Sequence, residues 1–231
     1  MIRIATVRGV CLAAMTFLWI GASAQAAPIL LQNGAATTSL TGLDVGQASD
    51  GTTTGAGGWS SGGPGTAVWE TATDVGMGAF NVTLNQAFGF GHMIGRFRIS
   101  VTTDDRSMFA DGLANGGDVT ANWIVLSPTS VTVPAGMTFS VLGDDTIITG
   151  NPANTGDYVV GYNLGITGVT GIRIELVQHP ALPLGGPGYA ANGNFVLTEL
   201  SMDAVVAPEP GTAMLVALGL VALGVGRRRR R

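Results

Sequence analysis

The sequence predicts an all-β protein whose body is a single antiparallel, jelly-roll-like β-sandwich, and three observations support this fold class. Glycine provides 36 of the 231 residues and charged residues only 11%, so turns are frequent and the residues that favour helices are scarce. Short segments of the body alternate apolar and polar side chains, as strands with one buried face do. No segment of the body has the periodicity of an amphipathic helix.

The clearest strand is expected where Phe80, Val82 and Leu84 alternate with Asn and Thr side chains. Further strands are expected at residues 67–69, 96–101, 123–126, 138–142, 146–148, 158–162, 172–176 and 196–203, with Gly, Asn and Asp turns between them. Many short strands separated by such turns are typical of a sandwich or barrel. We expect the sandwich at residues 50–205, preceded by a lead-in segment at 27–49, with a long Gly-rich loop at 52–65.

Both ends of the chain have the composition of targeting segments, beginning with a secretory signal peptide at residues 1–26. Two Arg precede an apolar stretch, and Ala24-Gln25-Ala26 supplies small residues at the two positions that specify cleavage. We expect export through the secretory translocon and cleavage after Ala26, with a cut after Ala24 as the alternative. The single cysteine, Cys11, leaves with the signal helix, which excludes disulfides, thiolate zinc sites and a cysteine nucleophile from the mature chain.

The charge of the body excludes one class of partner. Four Arg and 14 acidic residues lie between Ala27 and Ala207, and the other basic residues lie at the two ends of the chain. Because a body this acidic repels phosphate, we expect no nucleic-acid partner.

The C-terminal end combines Pro208-Glu209-Pro210, an uncharged run of 15 residues at 212–226 and five Arg at 227–231. The run predicts a transmembrane helix, with the Arg block in the cytoplasm and the acidic body outside. A helix of 15 residues spans about 22 Å, which is less than the roughly 30 Å of a bilayer core.

This C-terminal segment, residues 206–231, resembles the PEP-CTERM sorting signal. The resemblance implies that a membrane-embedded exosortase recognises Pro208, Glu209 and Pro210 and removes the tail. It also implies an inner-membrane intermediate, followed by delivery to the cell surface or extracellular matrix. A plain membrane anchor is the alternative.

Two sequence elements of the body carry a second resemblance. One is Leu-Pro-Leu-Gly-Gly-Pro-Gly at 182–188, and the other is Asn-Gly-Asn-Phe-Val-Leu-Thr-Glu at 192–199. Together with the strands before them, they are similar to the galactose-binding-like, discoidin-related domain attached to planctomycete-type large cytochrome proteins, from about Asp50 to Asp203. The resemblance implies a jelly-roll sandwich. Haem chemistry is not carried over, because the chain has no Cys-x-x-Cys-His segment.

Sandwiches of this kind often hold one calcium, and the resemblance implies a site formed by Asp50, Thr52 and Glu199 near the first and last strands. Calcium takes about six to eight oxygen ligands, which a Gly-rich loop with exposed carbonyls can supply. The alternative is a turn Asp and an unconnected strand Glu.

A sugar site needs an aromatic ring that stacks on the sugar and polar groups that bind its hydroxyls. Trp59, in a polar loop, and Tyr189, between Gly188 and Ala190, are the aromatic residues expected to be exposed. We therefore expect a non-catalytic protein that binds extracellular polysaccharide. A purely structural matrix protein without a ligand is the alternative.

An extracellular glycan hydrolase is the least favoured interpretation. It would use two carboxylates, for which Glu175 and Glu199 qualify by residue type. Both lie on the polar side of expected strands, where a solvated carboxylate is usual. The pairs Asp104-Asp105 and Asp144-Asp145 are expected to form turns rather than metal sites.

Overall fold

In the computed structural model, which describes residues 25–206, two antiparallel sheets share one core. The first sheet has five strands in the order β1-β12-β4-β10-β7, and the second follows the path β2-β3-β11-β5-β9-β8, with β6 paired to β5. The predicted fold class, an antiparallel β-sandwich, is confirmed. The predicted signal helix and transmembrane helix lie outside the described residues.

The strands match the expected segments where the alternation in the sequence is clean. Their bounds are β1 Gln25–Ile29, β2 Leu31–Ala36, β3 Gly65–Val75, β4 Gly78–Gln86, β5 Arg96–Thr102, β6 Ile124–Val125, β7 Ser130–Thr132, β8 Thr138–Val141, β9 Ile147–Gly150, β10 Gly156–Leu164, β11 Val169–Leu176 and β12 Glu199–Val206. Short 3-10 helices occur at Val45–Ser49, Arg106–Met108 and Pro183–Gly185. None of residues 25–206 forms a helix of the length and hydropathy that crossing a membrane requires.

The core between the sheets is built from the inward face of each alternating strand. Phe80, Val82 and Leu84 of β4 are buried in the first sheet, and Ile172 and Ile174 of β11 are buried in the second. Removing one such side chain from water stabilises the fold by about 1.5–3 kcal/mol. A shift of one residue in the strand pairing would move all of these apolar side chains to the solvent face, so the alternation also fixes the register of the strands.

The sandwich begins earlier than the sequence predicts, because β1 and β2 belong to it. β1 pairs with β12 in the first sheet, and β2 pairs with β3 in the second. Ala35 and Ala36 of β2 are fully buried, so the interpretation of residues 27–49 as a lead-in outside the sandwich is wrong. The alternation is hard to recognise because the side chains are small and because a bulge follows Gln32.

The predicted turn role of the two Asp pairs agrees with the structure. The hairpin between β8 and β9 turns at Asp145, whose φ is +60°. The side chain of Thr146 donates to Asp144 Oδ1 at 2.6 Å, and this bond is the main cause of the lowered pKa of Asp144. Asp105 caps the second 3-10 helix by accepting from the Ser107 N–H at 2.9 Å.

The loops of the sandwich gather at two ends. One, the loop end, carries residues 37–64, 87–95, 151–155 and 177–198. At the other, the terminal end, β1 begins at Gln25 and β12 finishes at Val206, and these two residues pair.

Candidate functional site

The predicted exposure of Trp59 is wrong, because its ring lies in the core with 0% of its surface exposed. The indole Nε1 donates to the Thr38 carbonyl at 3.1 Å, and the ring meets Phe195 edge to face at a centroid distance of 5.3 Å. The backbone of Trp59 forms an isolated bridge with Leu197. Gly58 comes so close to Leu197, at a φ of +138°, that no side chain would fit there. The polar loop is thus fixed against the last strands by a buried ring.

Tyr189 is half-buried, so its ring is only partly accessible to a ligand. Its hydroxyl donates to the Thr149 carbonyl, and its backbone N–H donates to the Met93 carbonyl at 2.9 Å. Burial raises the pKa of this hydroxyl. The structure therefore does not form an exposed aromatic patch from Trp59 and Tyr189.

Phe90 is the most exposed aromatic side chain among residues 25–206, and the sequence prediction missed it. Its side chain is 85% exposed, and its backbone has a φ of +53°, in the left-handed region that a bulky residue rarely adopts. Gly89 and Gly91 on either side have φ values of +83° and +74°, so the tip of this loop depends on glycine. The signal in the sequence is an aromatic residue between two glycines, within Phe88-Gly-Phe-Gly-His92.

Aromatic and polar groups surround this loop tip, and we call Phe88, Phe90, His92 and Asn154 the Phe90 rim. The Phe88 and His92 rings meet edge to face with centroids 4.7 Å apart, and His92 Nδ1 lies 2.9 Å from the Gly89 carbonyl oxygen. The exposed Asn154 approaches from the neighbouring loop. Its Nδ2 lies 3.5 Å from the position that a Cβ on Gly89 would take. The rim therefore joins two loops at the loop end of the sandwich.

The structure brings Asp50 and Glu199, two of the predicted calcium ligands, together at the loop end. Glu199 begins β12 and is only 9% exposed, so the expectation of a solvated carboxylate is wrong. Its Oε2 accepts a hydrogen bond from the Gly51 N–H at 3.3 Å. Burial, with a smaller contribution from the charge of Asp50, raises the pKa of Glu199 to about 7. A cation beside both carboxylates would oppose this shift.

Thr52, the third predicted ligand, contacts Asp50 through its backbone, because its N–H donates to Asp50 Oδ1 at 2.8 Å. Two carboxylates and the carbonyls of a Gly-rich loop form the oxygen donor set that calcium prefers. No cluster of three or more His, Cys, Asp or Glu side chains that could hold a metal occurs within residues 25–206. A calcium ion here would therefore take most of its ligands from carbonyls and water.

Glu175 is an ion-paired residue rather than a free acid. Its Oε2 lies 2.9 Å from Arg98 Nε and 3.0 Å from Arg173 Nη2. The hydrogen bond to Glu175 raises the pKa of Arg98. Glu175 belongs to the second sheet and Glu199 to the first, and each carboxylate is held by its own partners.

Comparison with protein families identifies the C-terminal segment. A model of the PEP-CTERM protein-sorting motif matches residues 206–231, which confirms the resemblance of this segment. The motif implies export and processing by a membrane-associated exosortase. A search of curated proteins found no match.

Solved structures similar to the sandwich include family 32 carbohydrate-binding modules. The module from C. perfringens NanJ, in complex with galactose, is 13% identical and has a TM-score of 0.44, over 78% of this chain and 99% of that one. CpGH89CBM32-5 from Clostridium perfringens, in complex with GalNAc-beta-1,3-galactose, is 14% identical with a TM-score of 0.42, over 76% and 99%. The module from Streptococcus pneumoniae EndoD is 12% identical with a TM-score of 0.42, over 76% and 98%. Likenesses this distant say nothing about ligands, and the resemblance to the cytochrome-attached domain stays a prediction.

Proposed function

We propose that this exported, exosortase-processed β-sandwich binds extracellular glycan through the Phe90 rim and catalyses no reaction. The observation that carries the proposal is the 85% exposure of Phe90 in a left-handed backbone conformation. Leaving a large apolar side chain in water forgoes about 1.5–3 kcal/mol of burial. A left-handed conformation at a non-glycine residue costs about 1–3 kcal/mol. Both costs at one position support a role for Phe90 outside folding.

The chemistry of the Phe90 rim suits a sugar. An exposed aromatic face can stack on the apolar face of a pyranose ring. The Asn154 amide supplies both donors and an acceptor for sugar hydroxyls, and the His92 imidazole can supply one more group. Because the body is strongly acidic, its field favours a neutral sugar over an anionic one.

The position of the rim also supports a binding role. The rim lies at the loop end, whereas β12 finishes at Val206 at the terminal end. The candidate binding surface is thus at the opposite end of the sandwich from the point where the sorting segment begins.

We also propose that calcium binds between Asp50 and Glu199, with carbonyls of the adjoining loop completing its ligands. The supporting observations are the proximity of the two carboxylates and the raised pKa of Glu199, about 7. Bound calcium would supply positive charge that holds both groups ionised. The two residues would then link the loop at 50–58 to the start of β12.

The second candidate function is a structural matrix role without a ligand. The burial of Trp59 and the half-burial of Tyr189 favour it, because the two aromatic residues expected to bind sugar serve the core instead. Hydrolysis has less support, since Glu175 is occupied by two Arg side chains.

A glycan array probed with residues 25–206, which contain both sheets and the core, tests the proposal. We expect binding to neutral glycans, and a loss of roughly tenfold or more in affinity for Phe90→Ala, because a stacked ring is worth about 1.4 kcal/mol or more. Met77→Ala is the matched control, since Met77 is also an apolar residue between two glycines and is 66% exposed.

The outcomes separate the candidates. No binding by the unmodified sandwich would replace the proposal with the structural matrix role. Binding that survives Phe90→Ala would place the glycan elsewhere on the surface. Equal losses in Phe90→Ala and Met77→Ala would also count against the rim.

A further inference from the structure

Four of the five edge strands in the described sandwich carry a feature that prevents pairing with another chain. β6, which pairs only with β5, has just two residues, and very short edge strands offer little to pair with. β1 contains Pro28, and β7 lies between Pro128 and Pro134, and proline cannot donate to a sheet. β2 has a bulge and is covered by a loop, because the Ala36 N–H donates to the Leu113 carbonyl at 3.0 Å. Natural sheets use such features against edge-to-edge association.

The fifth edge, β8, has none of them. Its sequence is Thr-Phe-Ser-Val, and all four of its residues are exposed. Thr, Phe and Val favour strands, and β8 contains no proline, charge or bulge. No charged residue occurs from Ser127 to Gly143, so β8 itself brings no like charges against a second copy, and the nearest acidic residues, Asp144 and Asp145, lie in the turn beyond its end.

The hydrogen-bond pattern defines which backbone groups of β8 are free. The Leu142 N–H donates to the Thr146 carbonyl at 2.8 Å, so these two residues form a hydrogen-bonded pair at the hairpin end. Such pairs alternate along an antiparallel ladder. Ser140, opposite Ile148, therefore bonds to β9 as well. Phe139 and Val141 turn their N–H and C=O groups away from β9, toward solvent.

The side chains of the same two residues form an apolar flank. Phe139 is 43% exposed and Val141 is 44% exposed. They share one face of β8, opposite Thr149 and Ile147 of β9. The free hydrogen-bonding groups and the half-exposed apolar side chains thus belong to the same two residues.

We propose that two copies of this protein associate through antiparallel pairing of β8 with β8, with the two Ser140 residues facing each other on the two-fold axis. In this register Phe139 of each copy lies opposite Val141 of the other. Phe139 of one copy and Val141 of the other then bond through their free N–H and C=O groups, which gives two hydrogen bonds. The two-fold symmetry repeats this pair. Phe139 also covers Val141 across the new pair, as cross-strand aromatic and β-branched residues do. The second sheets of the two copies become one continuous sheet.

Antiparallel pairing sets the orientation of the two copies. In an antiparallel pair the two β8 strands run in opposite directions. Since β8 starts near the loop end, next to Gly150 of β9, the loop ends of the two copies point in opposite directions. The two Val206 residues then lie at opposite ends of the dimer, so the pairing suits molecules that attach to opposing surfaces or lie within a matrix.

Disulfide trapping tests this arrangement, because the chain from residue 25 onward contains no cysteine. Facing residues of a non-hydrogen-bonded antiparallel pair have Cα atoms about 4.5 Å apart, within the range that a disulfide spans. Ser140→Cys in the sandwich should therefore form a covalent dimer under mild oxidation. Thr132→Cys is the matched control, since Thr132 is exposed on the edge strand β7 of the other sheet. It should stay monomeric.

A second measurement does not depend on a new cysteine. In sedimentation equilibrium the unmodified sandwich should dimerise with increasing concentration, and Phe139→Lys should weaken that dimerisation at least tenfold while leaving the fold unchanged. The proposal is overturned if Ser140→Cys remains monomeric, if Thr132→Cys cross-links equally, or if Phe139→Lys leaves the association unaffected. Monovalent glycan binding at the Phe90 rim is a separate readout, so either proposal can fail without the other.

Discussion

The Glu199 carboxylate accepts a hydrogen bond from the Gly51 N–H at 3.3 Å, across 148 positions of sequence. This contact joins the loop before β3 to the start of β12, the last strand. Because Glu199 is nearly buried and lies beside a second carboxylate, its ionisation is the point at which pH and cations should act on the fold.

In the presence of a chelator, we expect the free energy of unfolding to fall as the pH rises from about 4.5 to about 7. The pKa of Glu199 is about 7 in the folded chain against an ordinary value of 4.5. Between these values the folded chain holds a proton that the unfolded chain has lost. The stabilising contribution is therefore full below pH 4.5, falls with rising pH and is absent above about pH 7. Thermal unfolding across this range should show the slope, and Glu199→Gln, which cannot titrate, should reduce it; identical profiles would contradict the assignment.

Calcium should restore stability at a pH where Glu199 is ionised. At pH 8, where Glu199 is ionised, a site between Asp50 and Glu199 would stabilise the native state by about 2.7 kcal/mol at a hundredfold excess of ion over Kd. We expect a higher Tm on adding millimolar calcium to the chelated protein and little change for Asp50→Asn. Asp118→Asn, at an exposed Asp of another loop, should respond as the unmodified protein does. An unchanged Tm on adding calcium would exclude the site.

Two aromatic residues from Gly-rich loops should differ sharply in their contribution to stability. Trp59→Ala removes a fully buried ring and should lower the free energy of unfolding by about 3–5 kcal/mol. Phe90→Ala removes a ring that is 85% exposed and should change it by less than about 0.5 kcal/mol. Denaturant unfolding of both variants makes the comparison, and a large loss for Phe90→Ala would show that its ring supports the fold.

The contrast between Trp59 and Phe90 also shows what the sequence could predict. The alternation of apolar and polar residues predicts which face of β4, β5, β10 and β11 is buried, because this pattern lies within the sequence of each strand. The burial of Trp59 depends on the approach of Gly58 to Leu197, a contact across most of the chain, and no local pattern reports it. Phe90 has a local signal, its two flanking glycines, but only the structure shows that nothing covers it.

The start of the mature chain is the next prediction. Gln25 and Ala26 pair with Val206 and Val205 of β12, and cleavage after Ala26 would remove both pairs. Cleavage after Ala24 keeps β1 whole, so the structure favours the second of the two candidate sites. Intact-mass measurement of the secreted protein should place its first residue at Gln25; a first residue at Ala27 would show that β1 tolerates the loss.

The segment after the sandwich should act as a sorting address that is removed, rather than as a permanent anchor. The match to the PEP-CTERM motif begins at residue 206, where β12 finishes, and the apolar run that follows has only 15 residues against the roughly 20 that span a bilayer. Pro208 and Pro210 disfavour helix around Glu209 and should present it in an extended form.

Replacing Pro208-Glu209-Pro210 by three Ala should let the helix extend outward, lengthen the apolar span and retain the precursor in the membrane. Ala207→Ser, which leaves the three residues intact, should be processed normally. Mass spectrometry of the surface protein should find the five Arg at 227–231 missing. Surface protein that still carries them would identify the segment as a membrane anchor, because a cleaved tail cannot remain attached.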